Sequence, residues 1–162
     1  MDNLFLPANE RLVLLLKEKG YKISFAESCT GGLCASSIIS VSGSSSVIAS
    51  SFVTYSNEAK IKFLNVKKDT IDTYDVVSEE VAREMALGVC RISASEIGVS
   101  VTGIAGPDGG TKEKPVGTVC FGFNVLGSVT TKTVNFGNIG RNAVRFEAAE
   151  FAIKTLIEML EN

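Results

Sequence analysis

The 162-residue sequence contains no histidine and no tryptophan. Without imidazole, Ser-His-Asp and Cys-His catalysis, HExxH zinc sites and a histidine pH switch are all excluded. A hydrolase built from this chain must move its proton with some other group. Only four cysteines occur, at positions 29, 34, 90 and 120, and none form a CxxC pair. That spacing argues against a zinc ribbon or a redox dithiol and for a reducing, cytoplasmic setting. Neither sign of charge dominates: 16 Lys+Arg stand against 18 Asp+Glu, a net charge of -2. Such a chain has no bulk attraction to nucleic acid or to an anionic membrane, and neither is expected as a partner. Long apolar runs are missing too. The longest aliphatic stretch, Leu12 to Leu16, is far too short to span a bilayer. Met1 to Pro7 lacks the basic and apolar segments of a secretory signal.

What is present is a globular composition, 45% hydrophobic and 21% charged. The length suits one domain over residues 1–162. Apolar periodicity predicts helices over 10–19, from about 33 to Ser40, from Ser56-Asn57 to Asn65, from Ser78 to Ser95, and over 143–160. Ser56 or Asn57 caps the third and Ser78 the fourth. Strands are expected over 21–26, 47–55, 97–101, 117–125 and 129–136. Leu126-Gly127-Ser128 joins the last two as a hairpin. Early alternation followed by a late hairpin implies a three-layer α/β/α sandwich around a mixed, mostly parallel sheet of about five strands.

In open α/β sheets, ligands bind outside the carboxyl ends of the strands. Ser28 stands at such an end, in Ala26-Glu27-Ser28-Cys29-Thr30-Gly31-Gly32. The N–H groups of Thr30, Gly31 and Gly32 are expected to be unpaired in the following helix turn, where they could hold a phosphate or an oxyanion. The same residues also fit a plain helix cap and tight turn. Cys29 is a rival nucleophile but lacks an imidazole partner. Lys60, in Tyr55-Ser56-Asn57-Glu58-Ala59-Lys60, falls near the start of a helix, where a cation opposes the dipole. Its side chain leans back toward the preceding strand end. If the two early strands are neighbours, Lys60 meets Ser28. A neutral lysine is then the substitute for imidazole as the base that activates the serine. Its pKa must fall from the ordinary ~10.4 through burial or nearby positive potential, the latter supplied by the helix terminus. Glu27 is open to three readings: orienting group, hydrogen-bond partner, or buttress of the loop. Tyr55 could donate a hydrogen bond or stack on a flat ring.

A third segment, Val101 through Gly110, carries four glycines and a proline in ten residues. It can present N–H groups to an anion, with the Thr102 hydroxyl and the Gly103 backbone at its start. Arg141 and Arg145 stand one helical turn apart at the start of the last helix, and either could clamp a phosphate.

Together, AESCTGG, YSNEAK, VSEEVA and the run TGIAGPDGG continued by KPVGTV resemble the CinA carboxy-terminal domain family, whose members are also described as nicotinamide mononucleotide amidases. The resemblance extends over nearly the whole chain and looks like the stand-alone form. It implies hydrolysis of the carboxamide of nicotinamide mononucleotide to nicotinic acid mononucleotide and ammonia, in pyridine nucleotide salvage, with no metal or other cofactor. It places the serine and lysine of the family on Ser28 and Lys60, and its tyrosine, threonine and arginine on Tyr55, Thr102 and Arg141, with Arg145 on a second arginine. The implied partners are the small-molecule substrate and further copies of the chain in a homo-oligomer. The alternative is a catalytically silent nucleotide-binding module linked to competence or DNA damage. The chain departs from the family in carrying Tyr74-Asp75-Val76 where His-Gly-Ala is common, and Ile139-Gly140-Arg141 where Gly-Asp-Arg is common.

Overall fold

The structure, a computed structural model, describes residues 8–162. The reading of Met1 to Pro7 lies outside the described residues. The elements run α1 (Asn9–Lys19), β1 (Ile23–Glu27), α2 (Leu33–Ile39), β2 (Ile48–Val53), α3 (Asn57–Leu64), α4 (Lys68–Tyr74), α5 (Glu79–Ser93), β3 (Ile97–Gly103), β4 (Thr118–Val125), β5 (Ser128–Asn135) and α6 (Arg141–Glu161). The strands form one sheet in the order β2-β1-β3-β4-β5. β1 pairs parallel with β2 and β3, and the β3–β4 and β4–β5 pairs are antiparallel. This is the expected three-layer sandwich, with a parallel core and an antiparallel edge.

The two faces of the sheet are built differently, and the strand sequences say why. One face carries Phe25, Val99, Val101, Phe121 and Phe123, packed with α1, α2 and α6 in the main core. The other carries small residues: Ala26, Gly98, Ser100 and Gly122. There α5 lies almost on the backbone. A Cβ at Gly122 would stand 2.4 Å from the Ala82 carbonyl oxygen, and one at Gly98 2.6 Å from that of Ala86. Ser100 Oγ donates to the Ala82 carbonyl at 2.5 Å. Strands that alternate large and small therefore set a thick layer on one side and a close-packed helix on the other.

The hairpin differs from expectation by one residue. Only Leu126 and Gly127 lie between the strands, with φ of 53° and 89°, as a two-residue primed turn demands. α4 was not expected. It buries no residue and has no side-chain cap, so the sequence offers neither a periodic apolar stripe nor a start signal. It is fastened from outside instead, by Thr70 Oγ1 donating to Glu84 Oε1 at 2.7 Å and by the Lys67 N–H donating to Glu84 Oε2 at 2.8 Å.

After α4 the chain turns sharply at Asp75, with φ 70° and ψ 161°. That region is nearly reserved for glycine, and other residues held there cost of order 1–3 kcal/mol. The Asp75 carboxylate accepts only the neighbouring Val76 N–H and lies 3.9 Å from Lys114 Nζ. Asp75→Gly is therefore expected to raise stability by about 1 kcal/mol in a urea melt; a loss of stability would mean that the carboxylate contacts outweigh the backbone strain. Among the described residues, no helix is long and apolar enough to cross a membrane.

Candidate active site

The carboxyl ends of β1, β2 and β3 define the site. Just beyond β1, the Ser28 N–H donates to the Val101 carbonyl at 2.9 Å, and the Thr54 N–H donates to the Glu27 carbonyl at 2.8 Å. Ser28 is thus held in the sheet's own hydrogen-bond lattice at the point where the chain leaves it. Just beyond β2, Ser56 caps α3 by accepting the Ala59 N–H. Lys60 follows at the end of the first turn, and its side chain runs back toward the strand ends.

The two side chains meet. Lys60 Nζ lies 3.0 Å from Ser28 Oγ, 2.7 Å from the Thr54 carbonyl oxygen and 3.4 Å from that of Tyr55. Lys60 is 1% exposed, and this burial pulls its pKa down to about 8. The cause is loss of solvation, which disfavours the charged form, the first of the two routes named from the sequence. The geometry suits the neutral amine. Its two N–H groups can serve the two carbonyls, which leaves the lone pair facing the serine hydroxyl. Cys29 is not a competitor at neutral pH, because burial pushes its thiol up to about 12, and a protonated thiol is a poor nucleophile.

Ser28 and Lys60 line a cavity of about 230 Å³ together with Tyr55, Thr102, Gly103 and Arg141. Tyr55 is 63% exposed, and its hydroxyl accepts from Arg141 Nη2 at 2.9 Å, while Arg141 Nη1 donates to the Gly106 carbonyl at 2.8 Å. This pair stands at the mouth. Thr102 is buried, and its hydroxyl donates to the Val76 carbonyl at 3.1 Å, leaving its lone pairs open to a ligand donor. Gly103 owes its identity to β4, since a Cβ there would lie 2.7 Å from Val119 Cγ2. Four lining residues were not anticipated: Asn57, Val76, Val77 and Ala105. Val76, Val77 and Ala105 make an apolar wall. The signal for Asn57 was its place three residues before Lys60 on one helix.

Elsewhere the arrangement departs from the sequence reading. The Gly31 and Gly32 N–H groups are not open. Gly31 donates to the Ser28 carbonyl at 3.1 Å. The Glu27 carboxylate, fully buried, accepts the N–H groups of Gly32, Cys34 and Ala35 at 3.0, 3.1 and 2.9 Å. The chain thus fills its own helix N-terminus with its own anion. Thr30, Gly31, Gly32 and Glu27 do not line the cavity. Nor does Arg145, which donates through Nε to the Cys29 carbonyl at 3.0 Å, through Nη2 to the Thr30 carbonyl at 3.1 Å, and through Nη1 to Asn142 Oδ1 at 3.1 Å. A larger, shallower hollow of about 550 Å³ lies between the 107–116 loop and Asn135, Gly137 and Asn138. Asp108 is the one charged side chain among its lining residues, and no lysine or arginine lines it. Among the described residues, no cluster of metal-ligating side chains occurs.

Comparison with known proteins gives a consistent picture. A family profile described as CinA C-terminal domain matches residues 6–160. A nicotinamide-nucleotide amidohydrolase PncC of Enterobacter agglomerans is 50% identical over 149 residues, covering 91% of this chain and 90% of that protein. A CinA-like protein of Kosmotoga olearia is 51% identical over 144 residues, covering 89% of this chain but 35% of that protein. The chain thus spans about a third of the length of several curated relatives that it matches. Among solved structures, the competence/damage inducible protein CihA of Agrobacterium tumefaciens superposes with a TM-score of 0.93 at 39% identity, covering 99% of both chains. A CinA superfamily protein of Klebsiella pneumoniae superposes with a TM-score of 0.92 at 32% identity, covering 95% of this chain and 96% of that one.

Proposed function

The chain belongs to the CinA C-terminal domain family, and we propose that it is a nicotinamide-nucleotide amidase working through Ser28 and Lys60. The observation that carries this reading is the buried amine of Lys60, 3.0 Å from Ser28 Oγ and braced by two backbone carbonyls. The Enterobacter agglomerans relative, similar over nearly its full length and named an amidohydrolase of nicotinamide nucleotides, supports the substrate class.

The chemistry follows from the geometry. Ser28 Oγ attacks the carboxamide carbon while Lys60 takes its proton. The tetrahedral adduct collapses, the C–N bond breaks, and Lys60 returns the proton to the departing ammonia. Water then adds to the acyl-serine, again giving its proton to Lys60, which hands it to Ser28 Oγ as the ester bond breaks and the acid is released. The pyridine ring lies against Val76, Val77 and Ala105, with the exposed Tyr55 ring at the mouth. The phosphate is taken at the rim by Arg141, whose guanidinium is held by Tyr55 and Gly106 but has N–H groups to spare. Thr102 accepts a substrate N–H or hydroxyl. Glu27 and the Gly31-Gly32 turn hold the serine in place.

The test is ammonia release from nicotinamide mononucleotide by the purified chain. Turnover with nicotinic acid mononucleotide as co-product is expected. Thermal stabilisation by the mononucleotide without any ammonia, between pH 6 and 10, would replace the amidase with a silent nucleotide-binding module.

A further inference from the structure

The loop after β1 can be taken as a closed account of its backbone donors. The N–H groups of Ser28, Gly31, Gly32, Leu33, Cys34 and Ala35 all have acceptors within the protein. Those of Cys29 and Thr30 have none among the described residues. Buried backbone donors are nearly always paired, and Cys29 and Thr30 are both buried. Two adjacent unused donors directly after the serine are where an incoming oxygen would find partners.

Arg145 determines which way they face. Its guanidinium holds the Cys29 and Thr30 carbonyls together through Nε and Nη2. In a planar trans peptide the N–H points opposite to the C=O. Fixing the Cys29 carbonyl toward Arg145 therefore turns the Thr30 N–H away from it and sets the peptide plane that follows Cys29, the residue of this pair that lines the cavity. Fixing the Thr30 carbonyl turns the Gly31 N–H the same way, and that N–H indeed reaches back to the Ser28 carbonyl. Gly31, at φ 60°, leaves room for this clasp: a Cβ there would lie 3.2 Å from Arg145 Nη2. A cation bonded to two carbonyls also polarises the peptides behind them, which strengthens their N–H groups as donors.

Building on the amidase reading, we infer that Arg145 is a positioning residue that, by holding the Cys29 and Thr30 carbonyls, fixes the loop so that the Cys29 N–H at the cavity wall meets the carbonyl oxygen of the scissile amide, and that it is not a ligand of the substrate phosphate. The arginine expected from sequence to bind the substrate thus works from behind the loop.

The experiment measures kcat and KM for the parent, Arg145→Gln, Arg145→Lys and Arg141→Gln with two substrates, nicotinamide mononucleotide and the phosphate-free nicotinamide riboside. Arg145→Gln is expected to lower kcat about 10- to 100-fold on both substrates, the range for losing or misaligning an oxyanion donor, with KM little changed. Arg145→Lys, which can reach one carbonyl at a time, is expected to fall between. Arg141→Gln is expected to raise KM for the mononucleotide alone. A rise in KM confined to the mononucleotide in the Arg145 variants would overturn the inference and make Arg145 a phosphate ligand. Hydrogen exchange gives a readout independent of turnover. The amides of residues 29–31 are expected to exchange at least about tenfold faster in Arg145→Gln, through local opening. Unchanged exchange there overturns the positioning role. A parent chain that releases no ammonia from either substrate defeats the amidase reading instead.

Discussion

A Lys60→Met variant is expected to release no measurable ammonia and yet to be more stable than the parent at pH 7. The first half follows from the proposed chemistry, since Ser28 loses the group that takes its proton; a rate loss of at least about 10³-fold is expected, as it is for Ser28→Ala. The second half follows from burial. Lys60 is 1% exposed, and its pKa falls to about 8 in the folded chain, against ~10.4 for an unfolded lysine. Between those two values the unfolded chain holds more protons, so parent stability rises with pH across that window. Below pH 8 the full cost of the buried amine is present, of order 3 kcal/mol. Methionine has similar length and no charge, and it removes that cost. It also leaves the Thr54 carbonyl without the Nζ donor, which offsets about 1–2 kcal/mol of the gain. The net gain is expected to be about 1–2 kcal/mol at pH 7 and to turn into a loss of about 1–2 kcal/mol near pH 10.5, where the charge cost is gone and only the missing donor to Thr54 remains, measured by urea melts at both values. A Met variant that is less stable at pH 7 would show that the amine is not a strained charge but a structural tie. The parent's kcat/KM is expected to climb about tenfold per pH unit below pH 8 and to flatten above it, because only the neutral amine can act.

How this site could be read from sequence depends on the range of each interaction. Ser28 and Lys60 were legible because each sits at a junction between elements, strand to loop and cap to helix, and parallel pairing of β1 with β2 brings those junctions together. Tyr55 and Thr102 were legible for the same reason: both stand at strand ends. Burial was one of two causes of the lysine shift that the sequence offered, but its depth was not legible: a helix terminus is visible in sequence, and the near-complete burial of one amine is not. The unanticipated wall of Val76, Val77 and Ala105 comes from two loops whose approach depends on the Asp75 turn. Arg141 and Arg145 look equivalent as a pair one turn apart. The structure separates them because one turn of α6 moves a guanidinium from the cavity mouth to the back of the Ser28 loop. The alternation of Ile97-Gly98-Val99-Ser100-Val101 was visible in the sequence, and it encodes the close seat of α5 that only the packing makes plain.

Glu27→Ala is expected to bring the chain close to unfolding. The carboxylate is fully buried and accepts three N–H groups at the start of α2, all at 2.9–3.1 Å. Hydrogen bonds to charged groups contribute about 1.5–3 kcal/mol each, and a lost helix cap alone costs up to about 2 kcal/mol. Alanine leaves three buried donors without partners and a void where the side chain was, so a loss of about 3–5 kcal/mol is expected in urea melts. That is a large part of the 5–15 kcal/mol of an ordinary domain. Glu27→Asp is expected to recover little, since one methylene fewer withdraws the oxygens from donors two and three residues into the helix. Glu27→Gln keeps the length but turns an NH₂ toward N–H groups, and is expected to fall between the two. Because the site is an anion held at a helix N-terminus, it can be refilled. Formate, a carboxylate without a stem, is expected to raise the melting temperature of Glu27→Ala in a saturable way and to leave the parent unaffected. Equal effects of formate on both proteins would show that α2 needs no carboxylate at this end, and that Ser28 is held in place by the Arg145 clasp and the strand lattice alone.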